Sequence, residues 1–220
     1  MHMCGRINVS DHEGVQQILQ RLGISLNKDS FTPRFNVAPG ADILVAFAEQ
    51  PHQLAHMHWG IVPHWAREKP GARPLINARV ETAWEKPSFR RLVQNTRAIV
   101  PVNGFYEWRR ENSRKTPFYI TLPGHKAMAL AAIYQVTKEG TMEVAILTRE
   151  SAGKMNEVHN RMPVTLDEEN MGAWLNTEAP EFIQHLLGTQ VLPDLDIAEV
   201  SSYVNNAAND GEKCIEPIAA

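Results

Sequence analysis

Apolar residues at Val15, Ile18, Leu19 and Leu22 recur at helical spacing. Ser10-Asp11-His12-Glu13 ahead of them has the form of a capping box, with Ser10 as N-cap and Glu13 reaching back; Gly23 ends the helix. Phe31 to Gly40, with two prolines and a glycine, predicts a loop without regular structure. Ile43 to Ala48 and Leu54 to Trp59 read as partner strands, followed by a long surface loop from Gly60 to Pro74. Arg97 to Val102 reads as a buried strand, Asn103-Gly104 as a tight turn, and Phe105 to Arg109 as the returning strand. Phe118 to Leu122 and Glu143 to Thr148 are further strands. Met128 to Tyr134 is another, although its alanines also suit a helix. Glu168 to Leu175, capped by Asp167, and Pro180 to Leu187, ended by Gly188, predict helices; Leu195 to Val200 predicts a last strand.

Many short strands with few helices, no internal repeat and no low-complexity linker predict an α+β fold. We expect a single domain on an antiparallel, curved or barrel-like β-sheet with peripheral helices. The composition, 43% hydrophobic and 21% charged, is that of a globular protein. No apolar run is long enough for a bilayer, and no charged-then-apolar leader opens the chain. Two cysteines alone, Cys4 and Cys214, argue against a disulfide framework; a cytoplasmic protein with reduced thiols is expected, Cys214 being structural. The net charge of −3 is unevenly spread. Arg67 to Lys115 holds twelve Lys/Arg against five Glu, a balance of +7 inside a chain otherwise at −10. Such a segment is an electrostatic footprint for phosphates, or a solvated face with scattered arginines.

Residues 1–3 stand apart. Met1-His2 reads as a cloning junction before a natural start at Met3, which leaves 4–220 as the domain. Cys is small enough for the initiator Met to be removed, which makes Cys4 the mature N-terminus. A small buried core residue is the other reading of Cys4.

Five segments then stand out in order: Met3-Cys4-Gly5-Arg6, the loop Arg34-Phe35-Asn36-Val37-Ala38-Pro39-Gly40, Ile76-Asn77-Ala78-Arg79-Val80-Glu81-Thr82, Gly104-Phe105-Tyr106-Glu107-Trp108, and His159-Asn160-Arg161-Met162-Pro163. Together they resemble the SRAP (SOS response-associated peptidase) family, proteins that process abasic sites in DNA. The resemblance runs to about Pro163 and more weakly into Val204-Asn205. It implies that a mature N-terminal Cys traps the aldehyde of a ring-opened abasic site, preferably in single-stranded DNA or at a single/double-strand junction, as a stable thiazolidine. It also implies a link to the SOS response, self-processing peptidase activity and a weak lyase activity. Carried over by position, Cys4 is the nucleophile and Asn77, Glu107 and His159 are its catalytic neighbours. Trp65, Arg79 and the loop residues Arg34, Asn36 and Pro39 fall where the family contacts DNA, and Arg6, Trp108 and Arg161 are expected to bind DNA beside them. No cofactor is implied. A monomer, nucleoid-associated when bound to DNA, is expected.

The chemistry of the residues agrees. An α-amine titrates near ~7.7–8.0, so part of it is neutral and nucleophilic at pH 7, unlike a lysine near ~10.4. It can form an imine with an aldehyde, and the thiol of the same residue then closes a five-membered ring with a large effective concentration. Glu107 suits the base that opens the closed sugar, His159 an acid or proton shuttle, and Asn77 an orienting group. Arg6, Arg79 and Arg161 suit forked phosphate contacts. Taken singly, Glu107 also reads as an exposed carboxylate, His159 as a loop residue, Asn77 as a turn cap and Trp65 as a core residue. Two other functions use the same residues: an N-terminal-nucleophile amidohydrolase and a passive single-strand binding module. His52, His56, His58 and His64 have spacings that suit zinc, but nothing nearby completes a ligand set, and no metal is expected.

Overall fold

The computed structural model describes residues 5–48, 53–112, 114–176 and 194–218, together with residues 181, 183, 185 and 187. Its strands are β1 (Ile7–Val9), β2 (Arg34–Val37), β3 (Asp42–Phe47), β4 (Gln53–Trp59), β5 (Asn77–Arg79), β6 (Arg97–Val102), β7 (Gly104–Glu111), β8 (Arg114–Thr121), β9 (Met128–Val136), β10 (Met142–Glu150), β11 (Arg161–Pro163), β12 (Thr165–Leu166) and β13 (Asp196–Glu199). Its helices are α1 (His12–Gln20), α2 (Val80–Ala83), α3 (Arg90–Asn95) and α4 (Glu168–Asn176). Of the helix expected over 180–187, the described residues are helical, and the rest, Pro180 and Gly188 included, lie outside the described residues.

The larger sheet runs β11-β10-β4-β3-β6-β9-β12, and an additional β9–β10 pairing closes β3, β4, β6, β9 and β10 into a barrel. The alanines of β9 are buried there: Ala131 and Ala132 are wholly inaccessible and pair with Ile99 and Ala98 of β6. A closed barrel crowds both faces of its strands, which favours small side chains where other layers pack close. β6 is buried at every position, as its continuous apolar run predicts.

β10 is the spine of the site. Its first half pairs with β9, and its second half takes β11 antiparallel, at Thr148↔Pro163, Arg149↔Met162 and Glu150↔Arg161. It also pairs in parallel with β4 and with β5, the latter at Ile146↔Asn77 and Thr148↔Arg79. The sheet is therefore mostly, not wholly, antiparallel.

The smaller sheet has the order β13-β8-β7-β1-β2. Here three local expectations give way. First, β6 and β7 belong to different sheets, so Asn103-Gly104 makes no hairpin. The Asn103 carboxamide instead accepts from the Ser10 and Asp11 amides at 2.8 and 3.0 Å and donates to the Asp11 and Lys126 carbonyls. Gly104 is required by close packing: a Cβ there would sit 2.5 Å from the Tyr119 ring and 2.6 Å from the Ile120 carbonyl. Second, because Asn103 takes the Ser10 amide, the N-cap of α1 moves to Asp11, which accepts from Glu13 N, and the Glu13 carboxylate pairs with Lys126. Third, Arg34–Val37 is a strand, paired with β1. Pro33 and Pro39 flank it without entering it, so neither removes a ladder donor.

Residues 200–218 pass beneath this sheet and pack a second small core of Tyr106, Val200, Val204 and Cys214. No helix among the described residues is long and apolar enough to cross a membrane.

Candidate active site

A cavity of about 480 Å³ opens where the two sheets meet. Gly5 and Arg6 line it from the chain entering β1, Glu107, Trp108 and Arg110 from β7, and Lys115 from β8. His159 lines it from the turn before β11, and Pro39, Trp59, Arg73 and Ile76 complete the rim. Cys4 lies outside the described residues; Gly5, to which it is joined, is at the cavity wall. Asn77 follows Ile76 but borders a neighbouring groove rather than this cavity.

Glu107 is buried, only 3% exposed, which removes the reading of it as a surface carboxylate. His159 is half-buried, and desolvation pushes its pKa below the ordinary value, helped by the nearby charges of Arg161 and Arg110. The Arg161 amide lies 3.1 Å from His159 Nδ1 and donates to it. A neutral imidazole held this way carries its proton on Nε2. The Arg161 carbonyl, 3.3 Å from Nδ1, can accept only when Nδ1 carries a proton, as it does in the imidazolium.

Arg161 itself turns inward. It is 6% exposed, and its guanidinium grips Glu81 at 2.5 and 2.8 Å and the Thr148 carbonyl at 2.7 Å. That leaves no surface for the phosphate contact the sequence suggests. Burial would raise the Glu81 carboxyl, but hydrogen bonds from Arg161 and from the backbone hold it below its ordinary value. Since Glu81 is on α2, directly after β5, the pair ties the element carrying Asn77 and Arg79 to the one carrying His159, across β10.

A second network lies under Arg6. Its Nη1 donates to Asn36 Oδ1 at 2.6 Å and to the Val204 carbonyl at 2.8 Å. Asn36 Nδ2 lies within 2.8–3.2 Å of the Val204, Asn206 and Asn209 carbonyls. Asn36 is 5% exposed, so it is a support for Arg6 rather than a surface group. Trp108 donates from Nε1 to Asn205 Oδ1 at 2.6 Å, and both Arg6 and Lys115 approach its ring, at 5.7 and 4.4 Å from the centroid. The weaker resemblance at Val204-Asn205 thus marks the segment that braces Arg6 and Trp108.

The loop after β4 carries Trp65, 58% exposed and not a core residue. Glu143, nearly buried on β10, holds this loop. It accepts from Val62 N at 3.0 Å, Arg67 Nη2 at 2.8 Å and Gln135 Nε2 at 2.7 Å. Trp65, Lys69, Arg73, Asn77, Arg79 and Lys86 border a shallow groove of about 720 Å³ on the other side of this loop. Arg34 faces neither space: its Nη1 donates to the Asp42 carbonyl, beside a separate apolar cavity. Among the described residues no group of three or more His, Cys, Asp or Glu could hold a metal, and His52 lies outside them.

The structure thus brings Arg6, Pro39, Glu107, Trp108 and His159 to one cavity and sets Trp65, Asn77 and Arg79 beside it, with Asn36 and Arg161 behind. Sequence reasoning missed Glu81, Glu143, Arg73, Arg110 and Lys115. All but Glu143 fall within the basic segment or the quoted motifs, so the charge balance was the signal for the cations. The cavity offers a buried carboxylate, a neutral imidazole and several cations around one space, a set suited to acid–base chemistry on an anionic substrate.

The SOS response associated peptidase (SRAP) family profile matches residues 3–207. Abasic site processing protein YoqW of Bacillus subtilis is 34% identical over 224 residues, covering 97% of this chain and 99% of its own length. Abasic site processing protein YedK of Escherichia coli is 31% identical over 228 residues, covering 98% of this chain and all of its own. Among solved structures, a protein from Bacteroides thetaiotaomicron superimposes with a TM-score of 0.80 at 21% identity, covering 97% of this chain and all of its own, which speaks to the fold.

Proposed function

This chain belongs to the SRAP family, and from that premise we propose that it captures abasic sites in DNA covalently through Cys4. The preferred substrate is a single strand or a single/double-strand junction. The observation that carries the proposal is the place of Gly5: the residue bonded to Cys4 lines the cavity that Glu107 and His159 also line. Adjacent Cα atoms are ~3.8 Å apart, so the Cys4 backbone is within reach of that cavity.

In the proposed reaction, Met3 is removed, by the chain's own peptidase activity or by an aminopeptidase, and the Cys4 amine is freed. Glu107 takes the proton of the sugar C1 hydroxyl while a proton reaches the ring oxygen, opening the sugar to its aldehyde. The neutral amine adds to C1, and water leaves to give an imine. The Cys4 thiol then adds to the imine carbon, its proton passing to nitrogen, and the thiazolidine is complete. The proton that leaves with water comes from a neighbouring acid; the group we assign is His159 as the imidazolium, which gives up its Nε2 proton while the Arg161 carbonyl accepts from Nδ1. Asn77 orients the sugar or the amine from the lip of the cavity. Arg6, Arg79 and Trp108 hold the flanking strand, with Arg73 and Arg110 adding positive field. Asn36 and Arg161 act behind them as positioning residues. A weak lyase activity follows from the same imine, whose C2 proton is acidified. The protein works as a monomer in the cytoplasm, on the nucleoid.

The test is adduct formation with a single-stranded oligonucleotide carrying one abasic site, without reductant. A polypeptide beginning at Met3 gives a denaturation-resistant adduct. Its Cys4→Ser variant, and a polypeptide keeping Met1-His2 ahead of Met3, do not, because the second holds the amine in a peptide bond. Equal yields from the three would overturn the proposal.

A further inference from the structure

A second amine borders the same cavity. Lys115, on β8, lines it with Glu107 and His159, and its Nζ lies 4.4 Å from the centroid of the Trp108 ring. Its cross-strand partner is Arg110, by register, and Arg110 lines the cavity too. We infer that Lys115 is a second, cysteine-independent nucleophile of this cavity, one that captures the C1 aldehyde of an abasic sugar as a reducible imine. The inference rests on the reading of the cavity as an abasic-sugar site.

The surroundings on balance raise the share of neutral amine, although the Trp108 face, like Glu107, favours the ammonium. Burial lowers the Lys115 pKa, the like charges of Arg110 and Arg6 lower it further, and Glu107 opposes them in part. A like charge set directly across two strands disfavours the charged form of the lysine. Lys126 is the contrary case: its Nζ pairs with Glu13 at 2.5 Å, and its ammonium is favoured. The Trp108 ring beneath Lys115 limits where the amine can go, and the flanking cations bring a phosphodiester to it. Crowding an amine with other cations is one way to make a lysine more nucleophilic, and it acts here although Lys115 is exposed as a residue.

The step balances. Neutral Nζ adds to C1 and forms the C–N bond, and the aldehyde oxygen leaves with the two amine protons as one water. Lysine has no neighbouring thiol, so the imine stays open. Loss of a C2 proton to a base such as Glu107 then drives the bonding pair out with the 3′-phosphate and breaks the strand. Hydrolysis of the imine afterwards returns the lysine. Cys4 and Lys115 would thus lead one lesion to opposite ends, shielding or cleavage.

The experiment incubates the full chain, with Met1-His2-Met3 intact, with single-stranded abasic DNA and sodium borohydride, and maps the reduced adduct by peptide mass spectrometry. The expected result is DNA fixed on the peptide containing Lys115, and its loss in Lys115→Arg, which keeps the charge but never deprotonates. Adduct confined to the N-terminal peptide, or retained in full by Lys115→Arg, would overturn the inference. Mapping needs no variant to fold. A chain starting at Met3 that gives the reductant-free adduct while no Lys115 adduct forms would sink this inference alone. No adduct of either kind would sink the reading of the cavity beneath it.

Discussion

Replacing Glu81 by Gln separates what holds the site together from what merely surrounds it. Arg161 places a guanidinium only 8% exposed against a carboxylate 42% exposed, at 2.5 Å. Removing one partner of a buried pair costs about 3–5 kcal/mol, but the exposed Glu81 side is screened by water, and Gln keeps one acceptor. About 2 kcal/mol is the expected loss, which for a domain of this size lowers Tm by about 4–8 °C. The pH dependence has a definite sign. The Glu81 carboxyl sits below its ordinary value of 4.5 when folded, so its contribution is present above that value and is lost as pH falls through the lower one. The stability gap between parent and variant, read by urea unfolding, should close on acidification below 4.5. The same change loosens the Arg161 amide that orients His159, and misplacement by about 1 Å costs up to about 100-fold in rate. Single-turnover adduct formation on saturating abasic DNA reads that effect. Unchanged stability and rate would refute the argument; a lower Tm with an unchanged rate for the folded fraction would refute the positioning role alone.

Trp65→Ala should leave stability unchanged, because the ring is exposed, and weaken single-strand binding by the ~1–3 kcal/mol of one stacked base, about 5- to 150-fold in Kd by fluorescence anisotropy. Glu143→Ala strips the acceptor from Val62, Arg67 and Gln135 and should cost about 1–3 kcal/mol in denaturant unfolding. If Glu143 acts on DNA by fixing the Trp65 loop, it should weaken binding in the parent but add nothing once Trp65 is Ala; full additivity in that double-mutant cycle speaks against the link.

Long periodic segments were legible from the sequence. The runs at 43–48, 54–59, 97–102 and 143–148 became strands close to their expected bounds, since burial on a sheet requires their pattern. What misled were residues whose side chains compete with local rules. Asn103 reads as a turn former, but its carboxamide satisfies four backbone groups that come together only in the folded chain. Arg34–Val37 hides between prolines, and β1, of three residues, is too short to show a period. The site was legible as a set of segments and not as a geometry. Asn77 and His159 are brought to opposite edges of β10 by one parallel and one antiparallel pairing, which no local signal encodes. Arg161 and Asn36 look like ligand-binding residues in a motif because polar groups are mostly exposed. Their actual partners, Glu81 and the 204–209 carbonyls, are distant in sequence, and an unaligned chain does not reveal them.

Intact mass of the adduct formed by the mature chain, followed by mapping of the modified residue, tests the covalent claim most directly. Thiazolidine capture predicts the mass of the chain beginning at Cys4 plus the abasic oligonucleotide less one water, with both the α-amine and the thiol of Cys4 blocked. A free Cys4 thiol in the adduct, or attachment at any other residue without reductant, would contradict it.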